Sequence, residues 1–376
     1  MGLDGPIAMS AADIDETDIA AVVEVLRSGR LALGPKAEEL ERRVAEYVGV
    51  PHVVAVSSGT AALHLILLGL GIGPGDEVLV PSYTFVASVN AILYVGATPV
   101  FVDIEPETYN LDPRHLLHML SSRSRAIMAV DTFGHPVEWD AIVPLAERHG
   151  LAIIDDACEA LGSEYKGRKV GPFGSAAAFA FYPNKQITTG EGGVAVTRDP
   201  ALAQRIRCLR NQGRSGEAMW LEHERLGYNY RIDEMSAALG SSQLQRIEMF
   251  LHERARVAAL YSERLRSFEW VRVPVVRAHV RMSWFVYVVA LANGSDRHAV
   301  IRAMAEQGVP ARGYFSAIHL QPYIRERLST GPGMLPVTEA LAERTLALPF
   351  HNRVTEDQVD QVVTRLAEAV QRSNEA

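Results

Sequence analysis

Ile19, Val22, Val23 and Leu26 recur at the i, i+3, i+4, i+7 spacing that lines up apolar side chains on one helical face, and Gly29 follows as a C-terminal cap. Leu40, Val44, Tyr47 and Val48 repeat the pattern and stop at Gly49. Beyond Pro51 the texture changes. Short Val/Ile-rich runs predict strands at His52–Val56, Val78–Val80, Pro99–Val102, Ala126–Val130 and Leu151–Ile154, with helical stretches between them, the first from about Thr60. Strand and helix alternating in this way predict an α/β fold, a mostly parallel sheet with helices on both faces. Such sheets carry their sites at the carboxyl ends of the strands.

From Phe179 the chain reads as strand again, and a Gly-rich turn at Gly190–Gly193 leads into Val194–Thr197. Asp199-Pro200 then opens a helix. Helical character runs from about Asp233 to Leu265 with only Gly240 inside it, which predicts one long connection out of the first domain. The remainder, Val271–Ala376, reads as a smaller α/β unit with a Trp284–Leu291 strand, a helix near Arg297–Gln307 and a closing helix after Thr355. The expected division is a large domain over residues 1–250 and a small C-terminal domain over 251–376. No repeat or low-complexity linker separates them, so the small domain is expected to pack closely on the large one.

Composition narrows the classes of function. The 376 residues are 48% hydrophobic and 22% charged with net charge −8, and this excess acid argues against broad affinity for nucleic acid. Two cysteines, Cys158 and Cys208, make neither a disulfide framework nor a Cys-rich zinc site. No apolar run approaches the roughly 20 residues that span a bilayer. The N-terminal stretch carries Asp4, Asp13, Asp15 and Glu16 where a secretory signal is basic and then apolar. A cytoplasmic protein without membrane or nucleic-acid partners is expected.

Three segments carry candidate chemistry. In His52–His64 an apolar strand ends in Ser57-Ser58-Gly59 as a helix begins. The N–H groups of Thr60 and Ala61 at the positive helix end suit a phosphate, and a simple N-cap by Ser57 or Ser58 explains the same residues. In Leu151–Glu159, Asp155 and Asp156 close a continuous apolar strand, where a carboxylate can meet a ring nitrogen, a sugar hydroxyl or a metal, or merely cap the next helix. In Phe179–Gly193, Lys185 is flanked by aromatics and followed by a Thr/Gly turn. There it can form a Schiff base, or be a solvated charge like most lysines.

Together, in this chain order, the three segments resemble the DegT/DnrJ/StrS family of sugar aminotransferases, aspartate-aminotransferase-like enzymes of fold type I that use pyridoxal 5′-phosphate. The resemblance runs through SSGTAALHL, PSYTFVAS (Pro81–Ser88), GATPVFVDI (Gly96–Ile104), Ile153–Gly171, FYPNKQITTGEGG and Leu226–Gly240, and extends into SWFVYVV (Ser283–Val289) and HLQPYI (His319–Ile324). It implies that Lys185 is the Schiff-base lysine and proton carrier, and that Asp156 pairs with the pyridinium nitrogen. It makes Phe85 the ring stacked on the cofactor, and Gly59, Thr60 and Ala61 the phosphate-binding turn. Asn229 matches an asparagine that reaches the phosphate from the neighbouring subunit, which implies a homodimer with shared active sites. Two positions depart from the common pattern. Ala180 stands where many relatives place a phosphate-binding serine, and Glu159 stands near the cofactor's phenolic oxygen where His or Gln is usual.

The resemblance therefore implies transfer of an amino group, from L-glutamate, to the keto group of a nucleotide-diphosphate sugar, with Tyr314 and His319 bordering the sugar end of the cleft. A keto-cyclitol aminotransferase and a sugar dehydratase are the alternatives, and Lys185 speaks against the dehydratase branch, which carries His there. Other features read as structure. Gly69–Gly75 has the look of a dinucleotide fingerprint but follows a helix and precedes a strand, so it reads as a helix cap and turn. His115 and His118 lack the companions of a metal site, and none is expected. Cys158 reads as a small packed residue, and the Arg205–Arg214 cluster either attracts a diphosphate or is a solvated face.

Overall fold

The computed structural model describes residues 7–215 and 222–375; Asp4 lies outside them. Helix α1 (Glu16–Ser28) starts at Asp15, whose carboxylate accepts the N–H groups of Thr17 and Asp18, while Asp18 returns a bond to the Asp15 N–H. It ends at Gly29, which takes the left-handed conformation (φ 67°). Helix α2 (Pro35–Val48) opens on Pro35, ends at left-handed Gly49, and buries Leu40, Val44 and Val48. The apolar stripe of α1 behaves differently from expectation. Ile19 and Leu26 are 47% and 52% exposed, and the helix is anchored instead through buried Asp18 and Val25.

The short apolar runs form β1 (His52–Val56), β2 (Glu77–Pro81), β3 (Thr98–Val102), β4 (Ser124–Val130) and β5 (Ala152–Asp156), then β8 (Ala176–Ala180) and β9 (Gly193–Thr197) after a small hairpin, β6 (Glu164–Tyr165) and β7 (Arg168–Lys169). Between them lie α3 (Gly59–Gly69), α4 (Val86–Tyr94), α5 (Pro113–His118) and α6 (Trp139–His149), and α7 (Pro200–Arg210) follows β9. The seven-stranded sheet has the order β1-β9-β8-β5-β4-β2-β3. Only β9 runs against its neighbours. Helices α3 and α4 cover one face and α2 and α6 parts of the other, so the strands are buried on both sides, as a mostly parallel sheet requires. The small residues of β8 let α3 lie close. A Cβ on Gly193 would sit 2.6 Å from the Gly59 nitrogen, and one on Gly59 2.6 Å from Ala180 Cβ. Gly69–Gly75 is the turn between α3 and β2.

The stretch from Asp233 to Leu265 is two helices rather than one, α8 (Glu234–Leu244) and α9 (Ile247–Leu265). The break has a cause far away in the chain. Gln243 and Arg246 turn toward the start of α1, where Gln243 Nε2 donates to the Asp13 carbonyl (2.9 Å) and Arg246 pairs with Asp15 (2.7 Å) and with Asp18. Beyond the break, α9 spans two cores. Ile247, Phe250 and Leu251 pack with the large sheet's residues, whereas Val257, Ala258, Tyr261 and Leu265 pack with a second cluster.

That second cluster is built on β10 (Val271–Arg272), β12 (Tyr287–Leu291), β13 (Arg312–Gly313) and β14 (Thr345–Leu348), in the antiparallel order β10-β12-β14-β13. Strand β11 (Val280–Arg281) instead pairs with β6 in a separate three-stranded sheet, β11-β6-β7, tying this half to the hairpin that follows β5. Helices α10 (Arg297–Glu306), α11 (Pro322–Leu328), α12 (Pro336–Ala342) and α13 (Glu356–Glu375) complete the fold. The N-terminal strand of chain also reaches this half, where Ile7 packs on the second core and the Met9 carbonyl accepts the Phe350 N–H. Among the described residues, no helix is long and apolar enough to cross a membrane.

Candidate active site

A cavity of about 480 Å³ opens at the carboxyl ends of the large sheet's strands. Its lining comes from the first turn of α3 (Ser58, Gly59, Thr60), the β2–α4 loop (Thr84, Phe85), the end of β5 (Asp156, Cys158, Glu159), the loop between β8 and β9 (Ala180, Tyr182, Asn184, Lys185, Glu191) and the second half of the chain (Phe285, Tyr314, Phe315). Most of the site residues named from the sequence meet here. Three do not.

At α3, the Ser58 hydroxyl accepts the Ala61 N–H (3.1 Å). Both readings of this turn therefore hold in part. Ser58 is a true N-cap and occupies Ala61, which does not line the cavity, while Gly59 and Thr60 remain at the positive end of the helix dipole and do line it.

Asp155 and Asp156 point to opposite faces of β5, as successive strand residues must. Asp156 lines the cavity. Its Oδ2 accepts the Ser88 hydroxyl at 2.6 Å and its Oδ1 the Cys158 N–H at 3.3 Å. Ser88, buried on α4 and linked to the Thr84 hydroxyl (3.0 Å), thus fixes the carboxylate's orientation. Asp155 lies in the core, where its Oδ2 accepts the Gly171 N–H and burial pushes its pKa up to about 8. Asp131, next to it after β4, is driven well upward too, by burial and by the charge of Asp155.

Lys185 sits in the β8–β9 loop with its Nζ 3.6 Å from Glu159 Oε1 and 3.8 Å from the centroid of the Phe285 ring. The loop is held from below by Arg254 of α9, which is almost wholly buried. One of its terminal nitrogens donates to the Lys185 carbonyl (2.8 Å), and the other to the carbonyls of Trp284 (3.0 Å) and Phe285 (3.1 Å). Burial lowers the Arg254 pKa to about 10. Gln186 adds a second tie, donating to the Glu159 carbonyl and to Ser283. Glu159 is buried. Its Oε2 accepts the Phe133 N–H (2.9 Å), and its pKa is raised by burial against the opposing pull of the Lys185 charge. Burial and the nearby Glu159 charge raise Tyr314 in turn. Phe85 is 59% exposed and presents its ring to the cavity.

His319 does not border the cleft. It is fully buried, its Nδ1 2.7 Å from the Ser82 hydroxyl and its Nε2 3.1 Å from Glu339 Oε1, so it pins the segment before α11 to the end of β2. Tyr314 does line the cavity. Asn229 is exposed on the segment that follows the undescribed residues, where its backbone bridges to Asn211, and it is absent from its own chain's cavity wall. Of the residues read as structure, His115 accepts the Asp103 N–H through Nδ1, and Arg207 and Arg210 donate to the carbonyls of Val53 and Ala55. Ser88, Arg254 and Phe285 were not singled out from the sequence. Ser88 had a readable sign, since it stands three residues after Phe85 on one face of a helix; Arg254 had none.

A lysine, a buttressed carboxylate and an open helix end, gathered at one edge of a mostly parallel sheet, define a transferase site of the aminotransferase class. The chain belongs to the DegT/DnrJ/EryC1/StrS aminotransferase family, whose sequence profile matches residues 12–367. It is 39% identical over 365 residues to a GDP-perosamine synthase of Caulobacter vibrioides, covering 96% of this chain and 97% of that one. It is 38% identical over 364 residues to a dTDP-3-amino-3,4,6-trideoxy-α-D-glucose transaminase of Streptomyces venezuelae, covering 96% and 94%. An aminotransferase of Helicobacter pylori involved in pseudoaminic acid biosynthesis superposes with a TM-score of 0.93 at 28% identity, covering 98% of this chain and all of that one.

Proposed function

We propose that this aminotransferase uses pyridoxal 5′-phosphate, draws its amino group from L-glutamate and delivers it to the keto group of a nucleotide-diphosphate sugar. It acts in the cytoplasm as a homodimer with shared sites, over a large unit near residues 1–250 and a small one near 251–376. The observation that carries the reading is the convergence of Lys185 and the Ser88-oriented Asp156 on one cavity. The sugar nucleotide is supported by the names of the two sequence relatives, and the dimer by Asn229, which faces solvent outside its own cavity.

The residues present fit the cofactor. The first turn of α3 offers N–H groups and the Thr60 hydroxyl to a phosphate, the Phe85 ring offers a flat apolar face to a pyridine, and Asp156 offers a carboxylate to a protonated ring nitrogen. Ala180 contributes no hydroxyl, so the phosphate depends on the α3 turn and, in the dimer, on Asn229. Bound there, pyridoxal phosphate supplies an aldehyde for amines and a ring that withdraws electrons from the carbon being deprotonated. Lys185 Nζ holds the cofactor between turnovers and, once freed, carries the proton to and from the substrate carbon. Asp156, fixed by Ser88, keeps its charge directed at the ring nitrogen. Tyr314 and Phe315 close the cavity from the second half of the chain and limit water around the lysine.

Purified protein given pyridoxal phosphate should develop an absorbance band at the visible–ultraviolet boundary that is missing in Lys185→Ala. A panel of nucleotide ketosugars should then show one that drives conversion of L-glutamate to 2-oxoglutarate. Absence of the band sinks the cofactor assignment, and a deoxysugar product formed without glutamate marks a dehydratase instead.

A further inference from the structure

Glu159 and Lys185 face each other inside the cavity, and their charges depend on one another. Glu159 has few other partners. Its Oε2 accepts the Phe133 N–H, and among the described residues no guanidinium pairs with it; the other titratable groups around it there are Asp156 from β5, Tyr314 from the second half of the chain and neighbouring Cys158. Burial and the negative charge of Asp156 both disfavour its ionised form, and Lys185 opposes them. Lys185 Nζ stands between Glu159 Oε1 at 3.6 Å and the Phe285 ring at 3.8 Å. The arrangement is a balanced ion pair as long as Nζ is a free ammonium. Covalent use of the nitrogen ends that state and would leave Glu159 as a buried carboxylate holding one backbone N–H.

We infer that Glu159 is the proton acceptor for Lys185: it takes the ammonium proton when the lysine nitrogen bonds covalently to pyridoxal phosphate and returns it when the lysine is released. The inference rests on the cofactor proposed above. In the first step the ammonium and the carboxylate become an amine and a carboxylic acid, with no change in net charge. The amine lone pair then forms the new bond to the aldehyde carbon, and the aldehyde oxygen leaves as water with both hydrogens from the lysine nitrogen. Release reverses each step, and the acid proton of Glu159 restores the ammonium. A carboxyl group can do this where a glutamine could not, because only the carboxyl group exchanges a proton in this range.

The test uses the cofactor-free protein mixed with pyridoxal phosphate. Borohydride trapping and mass spectrometry first establish the adduct on Lys185. The infrared difference spectrum of the wild type should then gain the carbonyl stretch of a protonated carboxylic acid, and Glu159→Gln should lack it. Calorimetric titration in buffers of different ionisation enthalpy should show the variant releasing about one proton more per site than the wild type. An adduct that forms without the carboxylic-acid stretch, or with the same proton release in both proteins, overturns the role of Glu159 and leaves the cofactor reading intact. Absence of any adduct overturns the cofactor reading and this inference together.

Discussion

Asp155 and Asp156 are adjacent in the chain and opposite in surroundings, because a strand alternates its side chains between faces. Asp156 emerges into the cavity and is steered by one hydroxyl. Ser88→Ala removes that bond to a charged group, worth about 1.5–3 kcal/mol, so kcat should fall roughly 10- to 100-fold with little change in KM for glutamate. Steady-state kinetics check this, and an unaltered kcat would make Ser88 a bystander. Asp155 instead titrates in the core. Its folded pKa of about 8 lies above the roughly 3.9 of an unfolded chain, so the folded state binds the extra proton between those values. Stability from this group is complete below the lower value and is lost as pH rises through the upper one, by at most about 1.4 kcal/mol per pH unit. Asp155→Asn keeps an acceptor for the Gly171 N–H and should flatten the loss between about pH 4 and about pH 8 in denaturant unfolding. A slope equal to the wild type's would assign the titration to other groups.

At the level of elements, what matters is which pieces hold the lysine loop. Helix α9 crosses from one core to the other, and Arg254 uses that crossing to donate to backbone on both sides, to Lys185 and to Trp284 and Phe285. Arg254→Ala strands those carbonyls and should lower stability by on the order of 3 kcal/mol, read as a lower urea midpoint. It should also reduce the yield of borohydride-trapped Lys185 adduct, because the loop loses its support; a trapped yield equal to the wild type's would confine Arg254 to stability. None of this was legible. Helical periodicity ran evenly through Gln245 and Arg246, and the break between α8 and α9 depends on contacts with Asp13, Asp15 and Asp18, more than two hundred residues away. The strand ends were legible, because an apolar run stopping at Ser57-Ser58-Gly59 or at Asp155-Asp156 is a local signal. The same holds for Asp199 and Asp233, placed at helix starts, which cap α7 and α8.

Over the whole molecule, several large apolar side chains are exposed, among them residues at the N-terminal helices and near Asn229. Ile19, Leu26, Leu31 and Leu33 lie at the N-terminal helices, and Leu226, 84% exposed, lies three residues before Asn229. Ile19 and Leu26, on the apolar face that the spacing predicts for α1, are thus not covered within this chain: an amphipathic pattern reports a face, and leaves open whether the same chain covers it. For the homodimer proposed above, Leu33→Asp combined with Leu226→Asp should shift sedimentation from twice 41.2 kDa toward the monomer and weaken binding of pyridoxal phosphate. A double variant that stays dimeric would place the interface elsewhere.

The sequence alone determined the layered α/β architecture, the strand-end position of Asp156 and the α3 turn, and the resemblance that singled out Lys185. These follow from local pattern, where neighbours in the chain decide burial, capping and backbone direction. Only the tertiary structure decided that His319 is a buried tie between Ser82 and Glu339 and that Glu159 stands against Lys185. Each of these depends on groups brought together by packing, and a side chain's charge and partners follow from that packing as much as from its type.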